Sequence, residues 1–351
     1  MKKNRICLIL TLTIIFLAIN SGLIYANELP SGQYFTLINE NNQTIHQTGM
    51  VVNIGDEYIT ADNSRYKVKA INGTTASCVY LGEETMPVLE YSPQRKAWIF
   101  ESQEIPAVSA NKPTIAVYHT HNDESYIPGD GTESIDGRGG IHDIGETLAK
   151  QLKGLGFNVD YSDNNHNPHD INAYTRSRRT ATTLLKKDPD VVLDVHRDAT
   201  PAEQYEANVE GEAVTKIKLV IGRQNPNMKT NLEFAKKIKA LMDKKEPGLS
   251  NGIFMGKSTF NQDLHPRSVL IEVGAHTNKK DEAQKGVELF ATTLPAALGV
   301  ANDSGDSGDG IARKPQTGDN QGAGTTIAII LAVVAAAIGG FYFLNKGNAN
   351  H

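Results

Sequence analysis

Histidines and carboxylates gather in this 351-residue sequence where apolar runs end. The run 114–118 leads into His119-Thr120-His121-Asn122-Asp123-Glu124, the run from Asp190 leads into Asp194-Val195-His196-Arg197-Asp198, and the run 268–273 contains Glu272. Two imidazoles and a carboxylate with a fourth position open form the ligand set of a catalytic zinc, whose bound water is acidified to a pKa of roughly 7. A further carboxylate that is not a ligand can then take the water proton and return it to a leaving amine. His121 and Glu124 have the His-x-x-Glu spacing that lets one short loop present both groups to one ion, while His196 arrives from a neighbouring strand. A single histidine at a strand end is more often a hydrogen-bonded structural residue than a ligand. Convergence of several such residues on one predicted edge is what raises the metal reading above that baseline.

Those side chains can meet only if the strands carrying them lie side by side. Spacing predicts strands at 114–118, 157–161, 190–195, 216–221 and 268–273, and helices at 143–154, 174–187, 228–245 and 281–298. Asp143 followed by Glu146 reads as a capping box. Alternation of strand and helix implies an α/β fold, an open and mostly parallel sheet with helices on both faces, with its site outside the carboxyl ends of the strands. Strand alternation turns His119 away from its immediate neighbours, behind the ligands, and puts Asp194 on the side of His196, where it can orient that ring. Arg197, Asp263 and Arg267 are expected close by, supporting ligands or touching substrate. His142, His166, His169, His265 and His276 fall in predicted loops or helix ends, where solvated surface is the default.

This catalytic domain is expected over 113–300. Before it, short β-rich runs at 33–38, 49–52, 58–60, 66–71 and 76–81, separated by turn signals such as Asn72-Gly73, read as a small all-β module over 27–88 with no chemistry of its own. Residues 89–112 are the expected linker.

The ends of the chain suggest where it works. Lys2, Lys3 and Arg5 precede an uncharged apolar stretch that runs out near Tyr25-Ala26-Asn27, the pattern of a secretory signal peptide over 1–26, so the protein is expected to be exported. Residues 301–324 are rich in Gly, Ser and Asp and read as a flexible stalk. No charge occurs between Asp319 and Lys346, and the apolar run 327–344, at about 1.5 Å per residue, spans roughly 27 Å, enough to cross a bilayer as a helix placed at 325–344 before the tail 345–351. Removing residues 1–26 leaves 32 basic against 40 acidic residues and moves the net charge from -5 to -8, which disfavours nucleic acid as a partner. Cys7 and Cys78 are the only cysteines, too few for a disulfide framework or a cysteine-ligated zinc.

Five separated motifs carry a family resemblance: His119 to Tyr126, Asp194 to Asp198, Asn225-Pro226-Asn227 with Asn231-Leu232, Phe260 to Leu264, and Leu270 to Gly274. In order and approximate spacing the chain over 113–300 resembles the stage II sporulation protein P family. That family is similar to zinc-dependent N-acetylmuramoyl-L-alanine amidases, which cut the amide joining the glycan lactyl group to the stem peptide. The resemblance implies peptidoglycan as substrate, Zn2+ as cofactor, a lytic partner protein, His121 and His196 as ligands, and Glu272 as catalytic base. The carboxylate ligand stays open between Glu124 and the 142–146 segment, because the wider amidase group tends to place it at the start of the first helix. A zinc endopeptidase or carboxypeptidase with the same ligands, and a non-enzymatic wall-binding protein, are the competing readings. Lys314-Pro315-Gln316-Thr317-Gly318 resembles the Leu-Pro-x-Thr-Gly sorting signal of Gram-positive surface proteins, with Lys314 in place of Leu. It implies a sortase as partner, beside membrane attachment through the C-terminal helix. If the signal is processed, Thr317→Ala should shift the protein from wall-linked to membrane-associated material on cell fractionation; an unchanged distribution would leave the membrane helix as the sole anchor.

Overall fold

The computed structural model describes residues 28–29, 32–88, 112–170 and 172–299. The expected signal peptide, most of the expected linker, the stalk, the sorting-like motif with Pro315, Thr317 and Gly318, and the apolar run 325–344 lie outside the described residues. Among the described residues no helix is long and apolar enough to cross a membrane.

Four parallel neighbours form the part of the sheet that carries the motifs. They are β6 (Thr114–Tyr118), β7 (Asn158–Tyr161), β8 (Val191–Asp198) and β13 (Ser268–Ala275), in the order β13-β8-β6-β7. β8 and β13 are buried along their whole length, which explains why they read as continuous apolar runs and not as alternating ones. β11 (Ile217–Gly222) joins β13 antiparallel, and β12 (Ser250–Gly256) joins β11 parallel. Helices α2 (Ile141–Gly154), α4 (Met228–Lys245) and α5 (Lys280–Ala297) cover one face, where Ile144, Leu148, Ile238 and Phe290 share one buried core with Ile115, Val117, Val195, Leu219 and Ile271. The other face of β6 and β8 is covered by α3 (Ala173–Leu185) through Ala181 and Leu184. The open, mostly parallel sheet with helices on both faces is therefore present. A short helix α1 (Ile127–Asp130) follows the first motif, and a separate hairpin pairs β9 (Glu206–Val209) with β10 (Glu212–Thr215).

The expected capping box is absent. α2 starts two residues early behind Gly140, and Asp143 lies inside its first turn, where its carboxylate meets Lys280 Nζ at 2.7 Å while Glu146 pairs with Arg138. Gly140 leaves room there for the Asp130 carboxylate, whose Oδ2 would stand 1.9 Å from an added Cβ.

The β-rich N-terminal part is joined to this sheet. Its strands are β1 (Phe35–Ile38), β2 (Thr44–Thr48), β3 (Glu57–Ile59), β4 (Ser64–Asn72) and β5 (Thr75–Glu83). The strand expected at 49–52 is displaced to Thr44–Thr48. β3 pairs antiparallel with β12, giving one eleven-stranded sheet in the order β2-β1-β5-β4-β3-β12-β11-β13-β8-β6-β7. The division expected at 89–112 is thus not a division of the hydrogen-bonded sheet. Phe35, Leu37, Met50, Val52, Tyr58 and Val68 pack on Val220, Phe254, Phe260 and Leu270, so the N-terminal strands cover the second face of β11 to β13 in place of helices.

A fragment limited to 105–300 would expose Val220, Phe254, Phe260 and Leu270. At about 1.5–3 kcal/mol for each large apolar side chain, this loss is comparable to the whole stability of a domain, about 5–15 kcal/mol. Such a fragment is expected to be insoluble or to lack a cooperative thermal transition by circular dichroism. A transition within a few degrees of the full chain's would show that the N-terminal strands are dispensable for folding.

Candidate metal centre

Parallel pairing sets Tyr118 of β6 opposite Asp194 of β8, so the loop leaving β6 emerges beside His196. On the other side of β8, Glu272 of β13 is paired with His196, and Lys218 of β11 is paired with Glu272. His196, Glu272 and Lys218 therefore form one row across three strands.

Glu124 lies at the centre of the site with no exposed surface. Its Oε1 is 3.2 Å from His121 Nδ1 and 3.1 Å from His196 Nδ1, and its Oε2 accepts the backbone N–H of Arg197 at 2.9 Å. The carbonyl of Glu124 accepts the N–H of Ile141, which ties the motif to the first turn of α2. A fourth group comes from Glu28, whose Oε1 lies 3.0 Å from His121 Nδ1. One donor atom from each of Glu28, His121, Glu124 and His196 lies within 4.8 Å of the others. Imidazole nitrogens and carboxylate oxygens so gathered are the donor types that zinc takes, and the residues fit such an ion. Burial pushes the Glu124 carboxyl up, but His196, His121 and Arg197 outweigh it and hold it well below the usual carboxylate range. Burial opposes charge on His196, yet Asp194 and Glu124 raise its pKa well above the ordinary value. A metal ion would compete with protons for the same imidazole nitrogens.

Glu272 is buried, and its Oε2 has no hydrogen-bond partner among the described residues. Burial pushes its carboxyl well above the usual range, against the opposing pull of Lys218 and His196. A buried carboxyl with a free oxygen and a raised pKa has the properties of a group that exchanges protons.

Around this centre the expected supporting residues divide. Asp194 Oδ1 lies 3.0 Å from His196 Nε2, in ion-pair contact, and Thr120 fixes the carboxylate through its N–H at 2.8 Å and its hydroxyl at 2.6 Å. His119 stands behind the ligands, its Nδ1 2.9 Å from the Val195 carbonyl and its Nε2 3.1 Å from the Tyr161 hydroxyl. Arg197 acts on Glu124 through its main chain, while its guanidinium reaches the carbonyls of Ser125 and Glu133. Asp263 is bonded bidentately to Arg178 and so fastens the 260–264 turn to α3. Arg267 precedes β13, five residues before Glu272, a separation of roughly 16 Å along an extended chain. The 142–146 segment is engaged elsewhere: His142 contacts Asn122 and Tyr161, Asp143 contacts Lys280, and Glu146 contacts Arg138.

Three histidines expected at solvated surface, His142, His166 and His276, are buried. His166 spans the His119 carbonyl and the Thr180 hydroxyl, both at 2.7 Å. His169 is at the centre itself, stacked on His121 with ring centroids 3.8 Å apart, its Nδ1 3.1 Å from Asp123 Oδ1 and its Nε2 3.2 Å from Glu28 Oε2. Burial would lower its pKa, but Glu28 and Asp123 raise it to about 10. Neither Glu28 nor His169 has a sequence neighbour whose spacing points to the site.

The model of the stage II sporulation protein P family matches residues 37–295. The stage II sporulation protein P of Bacillus subtilis (strain 168) is 28% identical over 202 residues, which cover 52% of this chain and 50% of the relative. The chain thus spans about half the length of that curated relative. Solved structures of similar shape include the N-acetylmuramyl-L-alanine amidase Ami1 of Mycobacterium abscessus, 17% identical with a TM-score of 0.35 over 53% of this chain and 96% of that one. Another is the CwlD amidase of Clostridioides difficile in complex with the GerS lipoprotein, 14% identical with a TM-score of 0.38 over 54% of this chain and 100% of that one.

Proposed function

The chain belongs to the stage II sporulation protein P family, and from that premise we propose that it is a zinc-dependent N-acetylmuramoyl-L-alanine amidase acting on peptidoglycan. The observation that carries this reading is the convergence of His121, Glu124 and His196 with the buried, half-unpartnered Glu272 paired to His196 on the next strand. His121, Glu124 and His196 are the proposed ligands. A zinc ion held by them supplies a Lewis acid and an acidified water.

The chain's own groups do the rest. The Arg197 N–H fixes the orientation of the Glu124 carboxylate, and Asp194, itself fixed by Thr120, sets the plane of the His196 ring. Glu272 accepts the proton of the attacking water at Oε2 as the water oxygen bonds to the lactyl carbonyl carbon. It returns that proton to the alanine nitrogen as the carbon–nitrogen bond breaks, leaving a free amine and a lactyl carboxylic acid, which releases its remaining proton to become the carboxylate. Its pKa, raised by burial, makes the ionised carboxylate a stronger proton acceptor than an ordinary one. Export by the 1–26 signal and attachment to wall or membrane through 314–344 complete the proposal, since the substrate lies outside the membrane; the Thr317→Ala fractionation tests the attachment.

Two measurements test the chemistry. His121→Ala, His196→Ala and Glu124→Gln should each lower zinc content and activity together, whereas Glu272→Gln should keep zinc while turnover falls by roughly two to four powers of ten. Zinc lost from the Glu272 variant would make Glu272 a ligand, and zinc kept by the Glu124 variant would remove Glu124 from that role. Mass spectrometry of muropeptides after digestion of purified sacculi should find glycan with free lactyl carboxylates and stem peptides with free alanine amines. Intact lactyl amides with cuts inside the peptide would replace the amidase by an endopeptidase.

A further inference from the structure

Glu28 lies across the candidate centre with both of its oxygens engaged. Oε1 is 3.0 Å from His121 Nδ1, and Oε2 is 3.2 Å from His169 Nε2. His169 is fixed in turn, by Asp123 Oδ1 at 3.1 Å on its other nitrogen and by its stacking on His121, while Asp123 Oδ2 accepts the Ser134 hydroxyl at 2.6 Å. An ion held by His121, Glu124, His196 and Glu28 would have four protein donors, the closed arrangement of a structural zinc, with no position for substrate.

The four donors are not held alike. The side chains of His121, Glu124 and His196 are 4%, 0% and 1% exposed; His196 is on β8, and His121 and Glu124 are in the loop that leaves β6. Glu28 is 16% exposed and belongs to no helix or strand of the sheet. Among the described residues its main chain is held by an isolated bridge to Met50 and, at the next residue, by the Leu29 N–H on the Gly49 carbonyl at 2.8 Å. Of the four donors Glu28 is the most exposed, and so the one that substrate can reach and displace.

Hydrolysis of a lactyl amide produces a carboxylate at the carbon that was attacked. Glu28 presents the same chemical group, on a methylene stem, between the ligand His121 and the nitrogen of His169. We propose that the Glu28 carboxylate occupies the subsite of the lactyl carbonyl, and that His169, positioned by Asp123, is the catalytic residue that bonds the lactyl oxygen when substrate displaces Glu28. This rests on the amide-hydrolase reading and adds to it a subsite and a residue.

The test is the binding of free N-acetylmuramic acid, which carries the lactyl carboxylate, to the zinc-loaded full chain by calorimetry, with zinc content measured alongside. An internal group that fills the subsite lowers apparent affinity by the fraction of molecules left open. Glu28→Gln should therefore bind N-acetylmuramic acid about tenfold or more tighter than the wild type. Adding His169→Ala to that variant should abolish the gain at unchanged zinc content, and His169→Gln, which restores an N–H donor, should recover part of it. Equal affinity within about twofold for the wild type and Glu28→Gln would overturn the subsite, on the same reasoning about a freed site. Zinc lost from His169→Ala would overturn the role at the lactyl oxygen and make His169 a support of the ligands. If sacculus digestion still frees lactyl carboxylates while these affinities are unchanged, only this inference fails; intact lactyl amides would remove the hydrolase reading with it.

Discussion

A carboxylate without exposed surface must be met by positive charge or by N–H donors at each oxygen, and Glu124 imposes that demand on everything around it. His121 and His196 meet one oxygen, and the main chain at Arg197 meets the other. The arrangement requires β6 and β8 to be parallel neighbours in a fixed register, since a slip of one residue would turn His196 to the opposite face. Leaving such a charge uncompensated costs about 3–5 kcal/mol, enough to make the register of the central strands and the geometry of the site a single problem.

A second buried charge extends the constraint to the N-terminal strands. Lys218, fully buried beside Glu272, bonds to Asp198 and to the Thr48 hydroxyl, and Asp198 also accepts the Gly49 N–H at 2.7 Å and the Tyr205 hydroxyl at 2.8 Å. Burial alone would raise the Asp198 carboxyl, but Lys218 holds it below the usual range. Gly49 can approach only because it lacks a Cβ, which would stand 2.6 Å from the Ala199 Cβ. A region that shows no chemistry of its own in the sequence thus completes the shell of the row that contains His196 and Glu272.

The central strands were legible because full burial makes them plain apolar runs; β6 and α4 have the bounds that their spacing predicts. β12 was not, because Gly252 and Gly256 interrupt its run. Gly252, at φ +89°, has no room for a Cβ against the Ile59 carbonyl, so the residue that hides the strand is also what lets β3 reach it. Asp194 and His196 were legible through the period of two along β8, while His121 and Glu124 were legible through their His-x-x-Glu spacing in the loop that leaves β6. Arg267 was misplaced because proximity in sequence to Glu272 is distance along a strand. His169 and Glu28 reach the centre from irregular segments, with no period to reveal them.

The seam between β3 and β12 has only three pairs of residues, Glu57 with Met255, Tyr58 with Phe254 and Ile59 with Ile253, reinforced by the Tyr58 hydroxyl on the Asn251 carbonyl across 193 residues of sequence. Its consequence lies in the order of synthesis. At about 5–20 residues per second, the β12 edge of β3 waits roughly 10–40 s for its partner to be made. During that interval the apolar side chains that will cover Val220 and Phe254 have nothing of their own to cover. For a chain whose final sheet depends on so late an arrival, the nascent N-terminal strands are the part most in need of protection from pairing with other chains.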